Sequence, residues 1–318
     1  MIVTLPTLGA IRNYFPNARI EVMGYPSLLE IIKGRYYADV VSRFDQADMC
    51  HLFMRDATIP APFMKRLRRM DLIISFVSDK ARIFSGNLDA SGAQRIVHHD
   101  PFPSDGGCIH VIDHLLKSLK PLGISHVNNI PKLFLRGEDI HFRDNFIKGK
   151  TVAPGKMLVA IHPGSGGVQK CWSPEKFAAL ITWLNKEMGS QIFLISGPAD
   201  GKIVEGLRAE VKDAFAVVDH LPLSKLAAVL ERCDLFIGND SGITHLAAAT
   251  GVPTLAIFGP TDPKIWGPRG ERVKILYKKA QCSPCSADTR RNCFTQVCLE
   301  NIKIEDVMQE LKDTFLRR

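Results

Sequence analysis

The chain has 318 residues, of which 46% are hydrophobic and 23% are charged, and its formal net charge is +8. This length favours two domains of about 150 residues each, and the composition is that of an ordinary globular protein. No window approaches the roughly 18 apolar residues that a membrane span needs, and the N-terminal residues lack the basic flank of a signal peptide. We therefore expect a cytoplasmic protein. Nucleic acid is not expected as a partner, because basic and aromatic residues do not interleave.

The first half of the chain alternates short strand-like and helix-like segments. A strand is predicted over 18–24, a helix over 27–35, and an apolar strand over 71–78 of the kind buried on both faces of a parallel sheet. An amphipathic helix is predicted over 110–123. This alternation predicts an open α/β sheet.

A basic run, KRLRR at 65–69, is the densest patch of positive charge in the chain. Such a run is either a solvated helix face or a contact with an anionic surface, such as a membrane or a phosphorylated acceptor. The sequence leaves both interpretations open.

The second half repeats the α/β pattern after a polar stretch at 136–156, which is predicted to be a linker between domains. Strands are predicted over 157–164, 191–197, 234–238 and 254–259, and helices over 173–188, 200–211, 223–233, 243–251 and 302–318. Each glycine-rich polar turn in this half follows a strand. Because ligands of open α/β sheets bind beyond the carboxyl ends of the strands, these turns should converge on one edge.

The segment GNDSGITHLAAATG at 238–251 is the most informative of these turns. Ser241, Gly242 and the next backbone N–H groups open a short helix, where the donors have no intrahelical partner and the helix dipole adds positive charge. Such a site most often holds a phosphate. The lack of a side chain at Gly242 would let the ligand approach the backbone closely.

Eight cysteines are present, and four of them are clustered as C-x2-C-x7-C-x4-C at Cys282, Cys285, Cys293 and Cys298. Four thiolates at such spacing could bind zinc or hold an iron–sulfur cluster. Disulfides and reduced thiols remain as alternatives.

Several of these motifs together resemble glycosyltransferase family 9, the ADP-heptose:lipopolysaccharide heptosyltransferases. They are HPGSGGVQKCWSPEKFAAL at 162–180, SGPAD at 196–200, the segment 238–263 and the cysteine cluster. The resemblance covers most of 155–300 and implies a GT-B fold, with two Rossmann-like α/β domains and a cleft between them. Residues 1–150 would bind the acceptor and 151–300 the nucleotide-sugar donor. Residues 301–318 would form a C-terminal helix that packs back toward the first domain.

The function that the resemblance implies is an inverting transfer of heptose from ADP-heptose to a lipopolysaccharide core acceptor. It requires neither a metal nor a cofactor. Peripheral contact with the inner membrane stays open. Alternatives are a catalytically impaired nucleotide-sugar-binding protein and a nucleotide-sugar epimerase.

The resemblance also assigns roles to individual residues in the donor domain. Lys170 would offset charge on the leaving diphosphate, and with Asp240 it is a catalytic candidate. Asp200 would hold ribose hydroxyls, and the backbone of Leu221 would meet adenine. The donor phosphates and sugar would be bound by Ser165, Gly166, Asp240, Ser241, Gly242 and His245.

These residue types also have ordinary structural explanations. Asp200 could simply cap its helix, Asp240 could be only a turn former, and His245 could be a packed helix residue. The sequence alone does not decide between these readings.

The N-terminal domain departs from the family pattern, because the family's first strand and the glycine-aspartate turn that follows it are missing from this sequence. The resemblance places the general base on that aspartate, and no acidic residue precedes Glu21. Met1 could be a misassigned start, the chain could be degenerate, or Asp45, Asp79 or Asp105 could substitute.

Overall fold

The computed structural model describes residues 1–318 except 57, 104–107, 126, 151, 154, 212–213 and 316–318. The chain forms two compact units, of which the first is Val3–Asn129 together with Met1 and the second includes Ile130–Arg318. The predicted boundary at residue 150 therefore lies about 20 residues too late, because a helix in the predicted linker belongs to the second unit.

The first unit is built from short strands and helices. The strands are β1 (Glu21–Gly24), β2 (Val40–Arg43), β3 (Ile73–Ser75) and β4 (Ile96–His98). The helices are α1 (Leu5–Tyr14), α2 (Pro26–Leu29), α3 (Ala47–Cys50), α4 (Ala61–Arg68), α5 (Ile83–Asp89) and α6 (Val111–Leu116). Within the described residues, β1 pairs with β2 and β3 with β4, both in parallel, and the two pairs are separate sheets.

Apolar residues cover both faces of the β3–β4 pair, as the apolar sequence of this region predicts. Ile73 and Ile96 pack against one buried cluster, and Ile74 and Val97 belong to another. The predicted helices are shorter than expected. The helix predicted over 27–35 ends at Leu29, and the one predicted over 110–123 continues after Leu116 as a 3-10 helix.

The second unit holds a six-stranded parallel sheet with helices packed around it. Its strands are β5 (Leu158–His162), β6 (Gln191–Ser196), β7 (Ala216–Asp219), β8 (Leu235–Asn239), β9 (Thr254–Phe258) and β10 (Val273–Tyr277). Its helices are α7 (Gly137–Gly149), α8 (Pro174–Met188), α9 (Gly201–Glu210), α10 (Leu223–Glu231), α11 (Gly242–Thr250), α12 (Pro263–Trp266), α13 (Ala287–Arg291), α14 (Val297–Glu300) and α15 (Ile304–Thr314). The strand order is β10-β9-β8-β5-β6-β7, the doubly wound order of a Rossmann-like domain.

The helix α7 shows that the prediction of a linker over 136–156 is wrong. Its Asp139 is fully buried and accepts a hydrogen bond of 3.1 Å from Lys225 of α10. Arg143 forms a second ion pair, 2.6 Å long, with Glu231 at the end of α10. Charged residues therefore attach this helix to the second unit, which is why its polar sequence looks like a linker.

The C-terminal helix also belongs to the second unit. Val307 and Leu311 of α15 are buried in the same apolar cluster as Phe177 and Leu184 of α8. The predicted apolar stripe is confirmed, and it packs on the core of the second unit. No helix in the described part of the chain is long and apolar enough to cross a membrane.

The basic run at 65–69 lies on and just after α4, and part of it is used inside the first unit. Arg66 contacts Glu21 and donates a 2.9 Å hydrogen bond to Ser42, and Arg68 donates one of 2.9 Å to the Ser91 carbonyl. Lys65 and Arg69 are exposed. The run is thus partly structural.

Candidate functional site

The predicted donor-site residues of the second unit follow the carboxyl ends of adjacent strands. Ser165, Gly166 and Lys170 follow β5, and the 240–245 segment follows the neighbouring strand β8. The chain leaves β5 toward β6 on one side and β8 toward β9 on the other. A crevice forms where the strand order reverses in this way, and ligands of doubly wound sheets bind there.

The start of α11 leaves backbone donors for a ligand at this point. The Ser241 hydroxyl accepts the Thr244 N–H at 3.3 Å, and the Ser241 carbonyl accepts the His245 N–H at 3.3 Å. The N–H groups of Gly242 and Ile243 have no intrahelical acceptor. Gly242 is exposed, and a methyl group added there would meet no atom within 4 Å. An anion can therefore reach the positive end of this helix.

Lys170 and Asp240 form an ion pair beside the helix start. The lysine Nζ lies 2.9 Å from the Asp240 Oδ2 and 3.3 Å from the Asp240 carbonyl oxygen. Thr261 donates a hydrogen bond of 2.6 Å to the same Oδ2. Asp240 is only 6% exposed, so the pair is largely shielded from water. Its Oδ1 has no hydrogen-bond partner among the residues that the structure describes.

The loop that carries Lys170 is fixed at both ends by Asn239. This side chain is 0% exposed, donates to the Pro163 carbonyl at 2.7 Å and accepts the Trp172 N–H at 3.0 Å. Ser165 adds a third contact by donating to the Asp240 carbonyl at 2.7 Å. The loop is therefore held in one geometry before any ligand arrives. Sequence reasoning missed Asn239 and Thr261, because Asn239 looks like an ordinary turn former.

Asp200 lies beneath the loop and is bound by His162, a residue that sequence reasoning did not assign. His162 Nε2 lies 3.2 Å from the Asp200 Oδ2, and its Nδ1 lies 3.2 Å from the Ser241 hydroxyl. Because a carboxylate can only accept, Nε2 carries a proton and donates it to Asp200. His162 thus connects the turns after β6 and β8. Its position as the last residue of β5 is the signal that could have identified it.

The alternative that Asp200 caps its helix is wrong. Asp200 occupies the position before α9 but makes no side-chain bond to that helix, and its Oδ2 instead accepts the Gly197 N–H at 2.8 Å. Gly164 lies so close that a methyl group there would sit 1.9 Å from the Asp200 Oδ1. A contact of Asp200 with ribose remains a prediction.

The hydrogen bonds to Asp200 predict a pH dependence of stability. Burial alone would raise the pKa of Asp200, but hydrogen bonds from His162 and the Gly197 N–H outweigh it, so the pKa lies below its ordinary value of 3.8. A group with a depressed pKa stabilises the fold above its unfolded-state value, and this contribution is lost as the pH falls through the folded-state pKa. Below about pH 4 the free energy of unfolding should therefore fall more steeply in the wild type than in Asp200→Asn. Urea unfolding across the acid range measures both slopes, and equal slopes would contradict the assignment.

Leu221 and His245 lie at the same edge of the sheet as the residues described above. Leu221 follows β7 and is half-buried, and His245 is half-buried in the first turn of α11. Their proposed contacts with adenine and sugar stay predictions.

Among the residues that the structure describes, the four clustered cysteines are not brought together as a metal-binding group. The described residues contain no group of three or more His, Cys, Asp or Glu side chains positioned to hold a metal, so the zinc hypothesis has no support. All eight cysteines are free thiols in this structure, so the disulfide alternative has no support in it. Burial raises the pKa of Cys298 to about 11 and that of Cys285 above its ordinary value, so both thiols are protonated at neutral pH.

The aspartates considered as substitute bases lie in the first unit. Asp45 is paired with Arg43 at 2.9 Å, and Asp79 accepts the N–H groups of Ile83 and Ser85 at 3.1 and 2.7 Å. Asp105 lies outside the described residues. Both described carboxylates therefore already have hydrogen-bond partners within the first unit.

Comparison with known protein families matches residues 116–294, more than half of the chain, to glycosyltransferase family 9 (heptosyltransferase). Lipopolysaccharide heptosyltransferase 3 of Escherichia coli is 23% identical over 299 residues, which cover 84% of this chain and 82% of that protein. Lipopolysaccharide heptosyltransferase 1 of Pseudomonas aeruginosa is 32% identical over 164 residues, or 52% of this chain and 45% of that protein.

Solved structures confirm the fold. A family 9 glycosyltransferase from Veillonella parvula superposes with a TM-score of 0.79 at 20% identity, over 99% of this chain and 93% of that one. The E. coli heptosyltransferase WaaC with ADP superposes with a TM-score of 0.66 at 17% identity, over 98% and 96%. The predicted α/β fold of GT-B type is therefore confirmed. Because the family match spans more than half of the sequence, this chain belongs to glycosyltransferase family 9 and is a heptosyltransferase-like glycosyltransferase.

Proposed function

We propose that the protein transfers heptose from ADP-heptose to a lipopolysaccharide core acceptor, with inversion at the anomeric carbon and without a metal ion. The observation that carries this proposal is the meeting of the Lys170 loop and the start of α11 at the reversal point between β5 and β8. A further support is that the alignment with an E. coli heptosyltransferase covers 84% of this chain.

In the proposed reaction, an acceptor hydroxyl attacks the anomeric carbon of heptose while the bond to ADP breaks. The transition state has oxocarbenium character, and negative charge grows on the leaving diphosphate. The N–H groups of Gly242 and Ile243 and the ammonium of Lys170 are placed to stabilise that charge. These groups supply positive charge of the kind that a metal ion provides in other transferases.

Asp240 has two roles in this proposal. Its Oδ2 holds Lys170 in position, and the unpartnered Oδ1 accepts a hydroxyl of the donor sugar. The donor side is completed by Ser165, Gly166, Ser241 and His245 around the phosphates and sugar, by Asp200 at the ribose and by the Leu221 backbone at adenine. No described residue is assigned as the general base. The enzyme would also contact the inner membrane peripherally, because its acceptor is linked to a lipid.

Incubation of the purified chain with ADP-heptose and an inner-core lipopolysaccharide acceptor tests the proposal. We expect release of ADP, a mass increase of one heptose on the acceptor, and an anomeric configuration opposite to that of the donor by NMR. Addition of EDTA should leave the rate unchanged. A rate that falls in EDTA and recovers with a divalent cation would contradict metal independence.

The same experiment separates the enzyme from the catalytically impaired alternative. Binding of ADP by calorimetry without any transfer would favour a nucleotide-sugar-binding protein. Absence of both binding and transfer would contradict the donor site itself.

A further inference from the structure

His162 lies at the centre of the donor-site edge of the second unit. It is the last residue of β5, which pairs with β6 on one side and with β8 on the other. The residue is only 4% exposed, so its two ring nitrogens need partners inside the protein. The ring finds one partner beyond each neighbouring strand, and this arrangement can fix the position of both.

The first partner of His162 is Asp200, the residue proposed to hold the ribose. The ring Nε2 donates to the Asp200 Oδ2 at 3.2 Å, and the Gly197 N–H donates to the same oxygen at 2.8 Å. The Asp200 Oδ1 has no hydrogen-bond partner among the residues that the structure describes, and the missing side chain of Gly164 leaves room for it. Two fixed donors on Oδ2 therefore set the direction of the carboxylate and leave Oδ1 to accept from a ligand.

The second partner of His162 is Ser241, the cap of α11. The ring Nδ1 lies 3.2 Å from the Ser241 hydroxyl oxygen, which also accepts the Thr244 N–H at 3.3 Å. The Thr244 hydroxyl lies 3.1 Å from the same oxygen and donates to the Asn239 carbonyl. The cap is thus held from two sides, and the direction of the first N–H groups of the helix depends on its position.

One ring therefore joins the two elements that the proposed function assigns to opposite ends of the nucleotide. In the described part of the chain, Asp200 and Ser241 form no hydrogen bond with each other, and each bonds to His162. Removal of the ring would leave the carboxylate and the cap without their common support.

We propose that His162 is a positioning residue of the donor site. Its Nε2 directs the Asp200 Oδ1 toward the ribose hydroxyls, and its Nδ1 supports the cap that presents the Gly242 and Ile243 N–H groups to the diphosphate. The ring itself contacts neither the sugar nor the reacting atoms. The inference rests on the proposed function, because it concerns the same donor site, but its tests need only nucleotide binding and no transfer.

Two substitutions separate the two nitrogens of the ring. Glutamine carries its amide nitrogen as many bonds from Cβ as Nε2 is, and asparagine carries its amide atoms as many bonds from Cβ as Nδ1 is. His162→Gln therefore keeps a donor for Asp200 and loses the contact with Ser241, whereas His162→Asn does the reverse. Each variant is judged by a ratio of two affinities measured on the same protein, so a change in the folded fraction cancels.

Calorimetry with ADP, 2′-deoxy-ADP and 3′-deoxy-ADP tests the ribose side. We expect the wild type to bind ADP about tenfold more tightly than at least one deoxy nucleotide, because that nucleotide lacks a hydrogen bond to a carboxylate. His162→Asn should reduce this preference to about twofold, and His162→Gln should keep most of it. The control His141→Asn, at an exposed histidine of α7, should leave the preference unchanged.

Inorganic pyrophosphate tests the phosphate side. His162→Gln should weaken pyrophosphate roughly threefold because the cap of α11 loses one of its supports, and it should weaken ADP and the deoxy nucleotides by the same factor. His162→Asn should bind pyrophosphate as the wild type does.

Three results would overturn the inference. They are an absence of preference for ADP in the wild type, a preference in His162→Asn equal to that of the wild type, and equal effects of His162→Asn and His162→Gln on both ligand classes. Failure of the wild type to bind ADP at all would contradict the donor site and the proposed function together. Binding of ADP with a preference that neither variant changes would overturn the role of His162 alone.

Discussion

Replacing Lys170 by alanine is expected to lower the rate of glycosyl transfer by about 10²- to 10³-fold at saturating donor. The ammonium lies 2.9 Å from Asp240 in a largely buried pair, so its charge is fixed in place before the diphosphate leaves. Stabilisation by a preorganised charge appears mainly in the transition state, and the loss should therefore fall on kcat more than on KM. Release of ADP at saturating donor and acceptor measures the rate.

Two further variants separate this role from a general effect of charge. Lys170→Arg keeps a cation and should retain part of the rate, whereas Lys186→Ala, at an exposed lysine in the last turn of α8, should leave it unchanged. Thr261 still donates to Asp240 when Lys170 is removed, so the variant should remain folded, which its fluorescence can verify. A Lys170→Ala enzyme as fast as the wild type would remove Lys170 from the mechanism.

Replacing Asn239 by leucine is expected to lower the free energy of unfolding of the second unit by about 2 to 5 kcal/mol. The change keeps the approximate size of the side chain but leaves the Trp172 N–H and the Pro163 carbonyl buried without their partner. Each unsatisfied buried group costs about 1 to 3 kcal/mol. The tryptophans of this chain, Trp172, Trp183 and Trp266, all lie in the second unit, so urea unfolding followed by tryptophan fluorescence reports on that unit alone.

Asn145→Leu provides the matched control for this prediction. Asn145 is exposed on α7. Among the described residues, its side chain forms one hydrogen bond, of 2.9 Å, to the ring of His141. Its change should alter the free energy of unfolding by no more than about 0.5 kcal/mol. Equal effects of the two substitutions would show that Asn239 does not hold the loop.

Much of the second unit could be predicted because its central strands are continuous apolar runs. Such runs occur where a parallel sheet is buried on both faces, and β5, β8 and β9 are buried throughout. The cap at Ser173 and the glycine that ends α11 are local signals, and both are confirmed. The helix start at Ser241 follows from the same local rules.

The errors share a physical cause, which is that polar residues were assumed to face solvent. Asp139 of α7 is fully buried because Lys225 neutralises it, so a helix that packs through ion pairs looked like a linker. Asn239 and His162 each connect segments that are far apart in the sequence. Asn239 and Pro163 are separated by 76 residues, and His162 and Ser241 by 79. No local pattern reveals contacts over such a separation.

A crystal structure of the chain with ADP tests the central claim most directly. The account predicts that the β-phosphate lies about 3 Å from the N–H groups of Gly242 and Ile243 and within reach of the Lys170 ammonium. A nucleotide bound elsewhere, with the start of α11 covered by water or by other side chains, would contradict it.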